Sequence, residues 1–462
     1  MRNFIFFILF ATTSITTNLY GQSKTSISII IHGYNEGWCK LIGIYGDQNY
    51  IVDSFAVQNN GLVTISRDSQ LIQGFYYLLL PDFKNVSFLI DENQNFKAET
   101  NKDKLISSMN VQNSVANTLL YENFVIQEKI DSLQGSVKKD PSKKAEIQVK
   151  LDEWFRKRTQ HLETCISKYP ENFYTQFKVA GQNPTFSDVK KPNGDLDTFA
   201  HLQKYRNLFW SNVDFTNVKL LRTPVIANKL KRFIKELTPQ HPDSIIRQSD
   251  VIIKKSLVNN EMFAFISNWI ALQYQPTKTT VMDGEAVYVH IIDTYFDQHS
   301  ADWFKPGEIE QLKKKTSEMR ASLLNRKGPD VISTDPDGNK KSIYEIQSPY
   351  IIVYMYTPNC EHCKKETPKL KAFYNEWKNK GVEVFAIVIE TNKEEWKSYL
   401  RSNEINDWVN VYDPTNASIY AKYYVDVTPE IYVLNPERII IGKNLKVEQL
   451  PVIIQKDMKK SR

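Results

Sequence analysis

The hydrophobic pattern of this chain of 462 residues changes its period twice. Residues 22–105 contain short runs in which β-branched and aromatic side chains alternate with polar ones, a period of two that is typical of strands. From residue 106 to residue 327 the apolar positions recur every three or four residues, which predicts helices. After residue 328, strand-like and helix-like segments alternate, as they do in α/β domains. We therefore predict a multidomain protein with a β, a helical and an α/β region, in that order.

The first region is predicted to fold as a small β-sandwich. Its strand-like runs are short, and the glycine, asparagine and aspartate residues typical of turns separate them. The predicted strands cover residues 26–33, 40–46, 50–57, 62–66, 74–80 and 86–91.

The middle region is predicted to be an all-α domain. Proline, glycine and asparagine residues mark the ends of its helical segments. No repeat of fixed length is visible, which argues against a solenoid. The predicted helices cover residues 119–133, 145–168, 195–209, 225–237, 243–257, 261–275, 285–299 and 308–324.

In the last region an apolar strand leads directly into a pair of cysteines. Tyr350–Tyr356 contains only aliphatic, aromatic and methionine side chains, which is typical of a strand buried on both faces. A Thr-Pro-Asn turn follows, and Cys360 and Cys363 then stand at the start of a predicted helix. Pro368 is expected to kink that helix because it lacks a backbone donor. The other elements predicted here are a hairpin over 331–346, a strand over 382–389, a loop and strand over 427–434, a strand over 438–441, a short edge segment over 407–412, and helices over 393–402, 417–424 and from 447 onward.

The spacing of the two cysteines fits thiol–disulfide exchange. The attacking species is a thiolate, and a helix N-terminus favours an anion through its partial positive charge and its unpaired N–H groups. Cys360 occupies that position and is predicted to attack, while Cys363 is predicted to resolve the mixed disulfide. A protonated imidazole at His362 would favour the thiolate further; a solvent-facing histidine without a role is an equal alternative. Glu366 follows Cys363 by one helical turn, either as the base that accepts its proton or as a solvated helix residue.

The segment CEHCKKETP at residues 360–368, with the strand and turn before it, resembles the active site of the thioredoxin superfamily. It looks most like that of the extracytoplasmic thioredoxin-like oxidoreductases of the cytochrome-c-maturation type, in which the glutamate that matches Glu366 is functional. Thr428 and Pro429, followed by a strand, match the family's loop with a cis proline, which binds the substrate peptide. The resemblance covers residues 330–459 and implies a redox-active disulfide without a cofactor.

Two features depart from ordinary thioredoxins. Asn359 replaces the tryptophan usual before the first cysteine, and no acidic residue lies in Tyr350–Tyr356. Both departures argue against a general-purpose reductase. The β and helical regions resemble domains that are fused to envelope thioredoxins in Bacteroidetes-type bacteria, where the helical domain has no assigned role.

The N-terminus is typical of an exported protein. Arg2 precedes the short apolar run 4–11, and small polar residues lead to Gly21, which predicts a signal peptide over residues 1–21. An uncleaved anchor is the alternative. The net charge of +6 is too small and too dispersed to indicate nucleic acid binding. Cys39 and Cys165 are too few for a disulfide scaffold and are interpreted as single buried thiols.

Together these patterns predict a thiol–disulfide oxidoreductase of the periplasm or cell envelope. Its expected partners are cysteine-containing envelope proteins and a membrane or periplasmic electron donor. A thiol peroxidase is an alternative because Thr357 precedes Cys360 by three residues, but Val353 stands where that family has a proline. A binding or adaptor protein, in which the redox pair is secondary, is another. A structural zinc site would need two further ligands, which the sequence does not supply at a suitable spacing.

Overall fold

The computed structural model describes residues 24–276, 278–297, 301–413, 422–425 and 427–460. The predicted signal peptide and most of the predicted helix 417–424 lie outside these residues. The chain forms two compact units, of which the first comprises Met1–Ser187 and Trp210–Asn228 and the second Asp188–Phe209 and Lys229–Arg462. The helical stretch is thus divided between the two units. The domain boundaries at residues 105 and 327 stay predictions.

The first unit begins with two four-stranded sheets. The order of strands is β4-β1-β7-β8 in one sheet and β3-β2-β5-β6 in the other. Buried side chains from both sheets, such as Ile29, Leu41 and Phe88, form one hydrophobic cluster. The predicted β-rich region is therefore confirmed, and the shared cluster is what the predicted β-sandwich requires. The strands are β1 Thr25–His32, β2 Trp38–Tyr45, β3 Gln48–Ala56, β4 Leu62–Arg67, β5 Gly74–Leu79, β6 Asn85–Ile90, β7 Asn95–Asn101 and β8 Asn110–Gln112.

Two of these strands were absent from the sequence-based prediction. In β7, the buried residues Phe96, Ala98 and Thr100 alternate with exposed polar ones, but only one of them is large and apolar, so the period of two is weak in the sequence. Strand β8 lies within residues 106–327, the region predicted to be helical, although no helix was predicted over its own residues. It pairs with β7 in antiparallel fashion.

Three helices follow the sheets in the first unit: α1 Val115–Lys139, α2 Lys144–Lys168 and α3 Phe173–Ala180. The hydroxyl of Ser114 caps α1 by accepting a hydrogen bond from the N–H of Asn117, as N-cap serines typically do. Helix α3 was not predicted. Cys39 and Cys165 are free and fully buried, so their interpretation as single buried thiols is confirmed.

Helices also dominate the middle of the chain after α3, as predicted. The predicted helix 225–237 is formed as α5 and a π-helical turn, Arg232–Glu236. The helices are α4 Thr198–Leu208, α5 Val225–Lys231, α6 Pro242–Ser256, α7 Asn260–Gln273, α8 Glu285–Tyr295 and α9 Glu308–Arg320.

The remainder of the second unit is a seven-stranded sheet with helices. The strand order is β10-β9-β13-β12-β11-β14-β15, and every residue of the interior strand β11 is buried, as predicted. The segment 407–412 was predicted to lie at an edge; this prediction is wrong, because β13 pairs with both β12 and β9. The elements are β9 Ile332–Thr334, β10 Lys340–Ser342, β11 Tyr350–Tyr356, α10 Glu361–Trp377, β12 Val382–Val388, α11 Lys393–Ser402, β13 Val409–Tyr412, β14 Glu430–Leu434, β15 Ile440–Gly442 and α12 Leu450–Lys460.

A buried charge cluster joins this sheet to the helical part of the second unit. Nζ of Lys443, directly after β15, lies 3.5 Å from Oδ1 of Asp283 and 3.6 Å from Oε2 of Glu285. These are ion pairs rather than hydrogen bonds at such distances. The other carboxylate oxygens accept hydrogen bonds from the N–H of Leu324 and from Nδ2 of Asn444, both at 3.0 Å. Burial raises the pKa of Asp283 to about 6, although Lys443 opposes the shift.

The raised pKa of Asp283 predicts a stability that depends on pH. A folded-state pKa of about 6, above the ordinary 3.8, means that ionisation of Asp283 disfavours the folded state. The contribution of Asp283 to the free energy of unfolding is therefore lost as the pH rises through about 6. Asp283→Asn cannot ionise. The free energy of unfolding of this variant, minus that of the wild type, should increase by up to roughly 3 kcal/mol between about pH 4 and about pH 7. Denaturant titrations at several pH values measure this difference. The exposed carboxylate of Asp337 provides a control variant, Asp337→Asn. A pH-independent difference between Asp283→Asn and the wild type would contradict the prediction.

Candidate active site

The turn after β11 places Cys360 at the start of α10. Its backbone is extended (φ −83°, ψ 121°), and its sulfur accepts a hydrogen bond from the N–H of Cys363 at 3.2 Å. The sulfur thus occupies the place of the side-chain oxygen in an ordinary N-cap. The thiol also lies 3.2 Å from the carbonyl oxygen of Thr428, to which it donates. Helix α10 continues through Pro368 to Trp377.

These contacts favour the thiolate of Cys360. Partial burial disfavours the charged form, but hydrogen bonds from the side chain and backbone of Cys363, from the side chain of Thr428 and from the backbone N–H of His362 outweigh it, so the pKa of Cys360 is lowered. Hydrogen bonding to the charged form of a group is one of the three general causes of a pKa shift. The expected acidification of the first cysteine is confirmed.

Cys363 has the opposite environment. Its side chain is 0% exposed and packs in the hydrophobic cluster between the sheet and α10. Burial, followed by the contact with Cys360, raises the pKa of Cys363 to about 12. Cys363 is therefore the more buried sulfur, as predicted, and it needs help to ionise at neutral pH.

The predicted substrate-binding loop lies beside the cysteines. The peptide bond between Thr428 and Pro429 is cis, as predicted, and the carbonyl of Thr428 faces the sulfur of Cys360. Val427, which precedes them, is 57% exposed. The structure thus brings Cys360, Cys363 and Thr428 together; the substrate-binding roles of Thr428 and Pro429 stay predictions.

Glu366 is partly buried on α10. Its Oε1 accepts a hydrogen bond from Nζ of Lys369 at 2.8 Å, and Lys369 also bonds Glu448 at 2.9 Å. Its Oε2 is buried and has no hydrogen-bond partner among the residues that the structure describes. One carboxylate oxygen is therefore held by a lysine, and the other is available to accept a proton. The role of Glu366 as a base stays a prediction.

The side chain of His362 is exposed. Among the causes that shift the pKa of Cys360, the contribution of His362 is a hydrogen bond from its backbone N–H. The predicted tuning by its imidazole stays a prediction.

The sequence analysis missed a group of buried hydroxyls beside Cys363. Tyr354 and Tyr356 on β11, Thr367 on α10 and Tyr399 on α11 are at most 8% exposed. A signal was present: Tyr354 and Tyr356 are two residues apart and so share one face of a strand. Thr367 follows Cys363 by four residues and so shares its face of α10.

Known proteins with sequences similar to the C-terminal region indicate its family. A family model described as thioredoxin-like matches residues 348–447. The C-terminal region is a thioredoxin-like domain. The thiol-disulfide oxidoreductase ResA of Bacillus subtilis is 28% identical to it over 119 residues, which are 26% of this chain and 63% of that protein. The chain thus spans less than two thirds of the length of this relative. ResA of Bacillus cereus is 24% identical over 137 residues, 29% of this chain and 78% of that protein.

Solved structures are also similar to the chain. A domain of a possible thiol-disulfide isomerase from Cytophaga hutchinsonii is 35% identical, with 30% of this chain and 95% of that chain covered and a TM-score of 0.28. A thioredoxin-like protein from Bacteroides caccae is 18% identical, with 59% of this chain and 99% of that chain covered and a TM-score of 0.48. Among the described residues, no helix is both long and apolar enough to cross a membrane.

The unequal environments of the two cysteines in the thioredoxin-like domain predict selective alkylation. With its pKa lowered, Cys360 should react with iodoacetamide at pH values near 7, because the thiolate is the reactive form. Cys363, with a pKa of about 12, should stay unmodified under the same conditions. Peptide mass spectrometry after timed alkylation of the reduced protein measures both sites, and the buried Cys39 and Cys165 serve as internal references. Faster labelling of Cys363 would reverse the assignment.

Proposed function

We propose that the protein is an extracytoplasmic thiol–disulfide oxidoreductase that exchanges disulfides with cysteine-containing envelope proteins through Cys360 and Cys363. The observation that carries the proposal is the asymmetry of the pair: an acidified, partly exposed sulfur at a helix start, and a buried sulfur three residues later. The names of the ResA relatives support the same reaction class. The predicted signal peptide supports the location.

In the proposed reaction, the Cys360 thiolate attacks one sulfur of a substrate disulfide. A mixed disulfide forms, and the other substrate sulfur leaves as a thiolate that takes up a proton. Cys363 then loses its proton and attacks the sulfur of Cys360, which releases the second substrate sulfur. The substrate has gained two electrons and two protons, and the enzyme holds a Cys360–Cys363 disulfide. A membrane or periplasmic electron donor restores the dithiol.

Two neighbouring groups serve this exchange. Thr428 and Pro429 bind the extended substrate peptide, as an added strand pairs with an exposed backbone; the nearness of the Thr428 carbonyl to Cys360, at 3.2 Å, supports this role. Glu366 accepts the proton of Cys363, and its unpartnered buried oxygen supports that role. Residues 22–105 and 106–327 are proposed to form a β-sandwich and an all-α domain that accompany the redox domain of residues 328–462.

Disulfide exchange is tested by giving the reduced protein insulin and, separately, hydrogen peroxide. The protein should reduce insulin disulfides, and Cys360→Ser should abolish the reduction because it removes the attacking sulfur. Cys363→Ser should instead accumulate mixed disulfides with envelope proteins, visible on non-reducing gels. Rapid consumption of peroxide with no insulin reduction would indicate a thiol peroxidase. Inactivity in both assays would favour a binding protein.

Glu366→Gln tests the proposed base. Dithiobis(nitrobenzoate) separates the two steps, because attack by Cys360 releases one coloured thiolate and resolution by Cys363 releases a second. Loss of a positioned base costs roughly 10²–10⁴-fold in rate, so the second release should slow by a factor in this range while the first hardly changes. Glu376, on the same helix and paired with Lys380 at 2.9 Å, supplies the control variant Glu376→Gln. Unchanged or faster resolution in Glu366→Gln would remove the glutamate from the mechanism.

A further inference from the structure

Five side chains form a buried polar group inside the thioredoxin-like domain, next to the resolving cysteine. They come from three elements that are separate in the sequence: strand β11, helix α10 and helix α11. None of them is more than 8% exposed. We call them the hydroxyl cluster, which consists of Tyr354, Tyr356, Thr367, Trp396 and Tyr399.

Three hydrogen bonds join the members of the hydroxyl cluster. The hydroxyl of Thr367 lies 2.8 Å from the hydroxyl of Tyr354 and 2.8 Å from that of Tyr399. Nε1 of Trp396 donates to the hydroxyl of Tyr356 at 3.2 Å. No other hydrogen bond of these five side chains is found within the described part of the chain. The rings of Tyr354 and Tyr356 stack with their centroids 5.2 Å apart, which fixes the two phenols side by side.

The hydroxyl cluster contains more donor hydrogens than its hydrogen bonds use. Each hydroxyl carries one donor hydrogen and the indole carries one, so the cluster holds five, and the three bonds use three of them. Two hydrogens are left without an acceptor among the described residues. A buried donor without an acceptor costs free energy, and such groups in a folded protein call for an explanation.

A buried group that becomes an acceptor when it ionises is the sulfur of Cys363. Cys363 belongs to the same packed cluster as Tyr354, Tyr356 and Tyr399, and Thr367 follows it by one helical turn on the buried face of α10. Burial is the main cause that raises the pKa of all three tyrosines, to about 12 in Tyr399, and the negative charge of a Cys363 thiolate acts in the same direction. The phenols therefore keep their protons throughout the neutral range and remain donors when the sulfur ionises.

We propose that the hydroxyl cluster is a hydrogen-bond donor pocket for the Cys363 thiolate during resolution of the mixed disulfide. The inference rests on the proposed function. Glu366 takes the proton from Cys363, and the two surplus hydroxyl hydrogens turn toward the sulfur as it becomes negative. The sulfur then attacks Cys360, the bond between Cys360 and the substrate sulfur breaks, and the negative charge leaves with the substrate.

The mixed disulfide is the state in which the pocket acts. In the dithiol state, the Cys360 side chain is itself a cause that raises the pKa of Cys363. Once Cys360 is bonded to a substrate sulfur, it carries no charge, and only the cost of burial opposes the thiolate of Cys363. Hydrogen bonds to the charged form offset that cost. The hydroxyl donors would therefore act in resolution of the mixed disulfide, the step in which Cys363 becomes a buried anion.

Variants that remove single hydroxyls test the pocket. Tyr356→Phe and Tyr399→Phe keep the rings, and Thr367→Val keeps the volume while Thr367→Ser restores the hydroxyl. With dithiobis(nitrobenzoate), the second release should slow about tenfold in the first three variants, the effect of one hydrogen bond to a charged group, and Thr367→Ser should recover most of the rate. The pH midpoint of the second release should rise by about one unit. Tyr374→Phe is the matched control, because Tyr374 bonds the carbonyl of Asp407 at 3.4 Å instead.

The rate of the first thiolate release separates an error in the proposed pocket from a variant that does not fold. It reports attack by Cys360 and should stay within about twofold of the wild-type rate in every variant, which also shows that the domain is folded. An unchanged second release in all three variants would overturn the pocket, and so would slower release with an unchanged pH midpoint, which indicates a purely structural role. A wild-type protein that gives no second release would refute the proposed function itself.

Discussion

The active site depends on the unequal hydration of two sulfur atoms that are three residues apart. Strand β11 is buried along its whole length. The helix that follows it packs one face against the sheet, while the first two residues of the helix are exposed. Cys360 lies just before these residues and meets N–H groups, while Cys363 points into the core. The pKa values of the two thiols move in opposite directions for this reason. This asymmetry supports the proposed division of attack and resolution between the two sulfurs.

The same burial explains which polar groups accompany Cys363. An ionised carboxylate inside β11 would have to leave water without a partner, which is costly, and the strand contains none. Phenols bring a hydroxyl into the core on a large apolar ring, and the hydroxyl stays uncharged at neutral pH. One helical turn after Cys363, α10 offers the carboxylate of Glu366, at the border of the core with one oxygen held by Lys369. The proposed proton acceptor thus lies at the rim of the site, and the proposed hydrogen-bond donors lie in its interior.

The parts that sequence reasoning could predict are those with a local pattern. The bounds of β11, the burial of Cys363 and the cis bond before Pro429 follow from a continuous apolar run, helical spacing and a motif. Strand β7 was missed because its core face carries one large side chain, Phe96. The hydroxyl cluster was missed for another reason: it forms only when residues 354, 367 and 399 meet, and each alone looks like ordinary packing. Contacts between distant segments leave no periodicity in the sequence.

The end of the helical stretch belongs physically to the redox domain. The N–H of Asn325 bonds the carbonyl of Ile440 at 2.9 Å, and the N–H of Ile440 bonds the carbonyl of Arg326 at 2.8 Å, so the backbone just before residue 328 pairs with strand β15. Lys443 lies directly after β15 and is 3% exposed. It pairs with Asp283, just before α8, and with Glu285, in α8. A chain cut at residue 328 would lose both of these carboxylates and the backbone pairing with strand β15. The segment from about residue 280 thus contributes ion pairs and hydrogen bonds to the redox domain, which the change of hydrophobic period at residue 328 conceals.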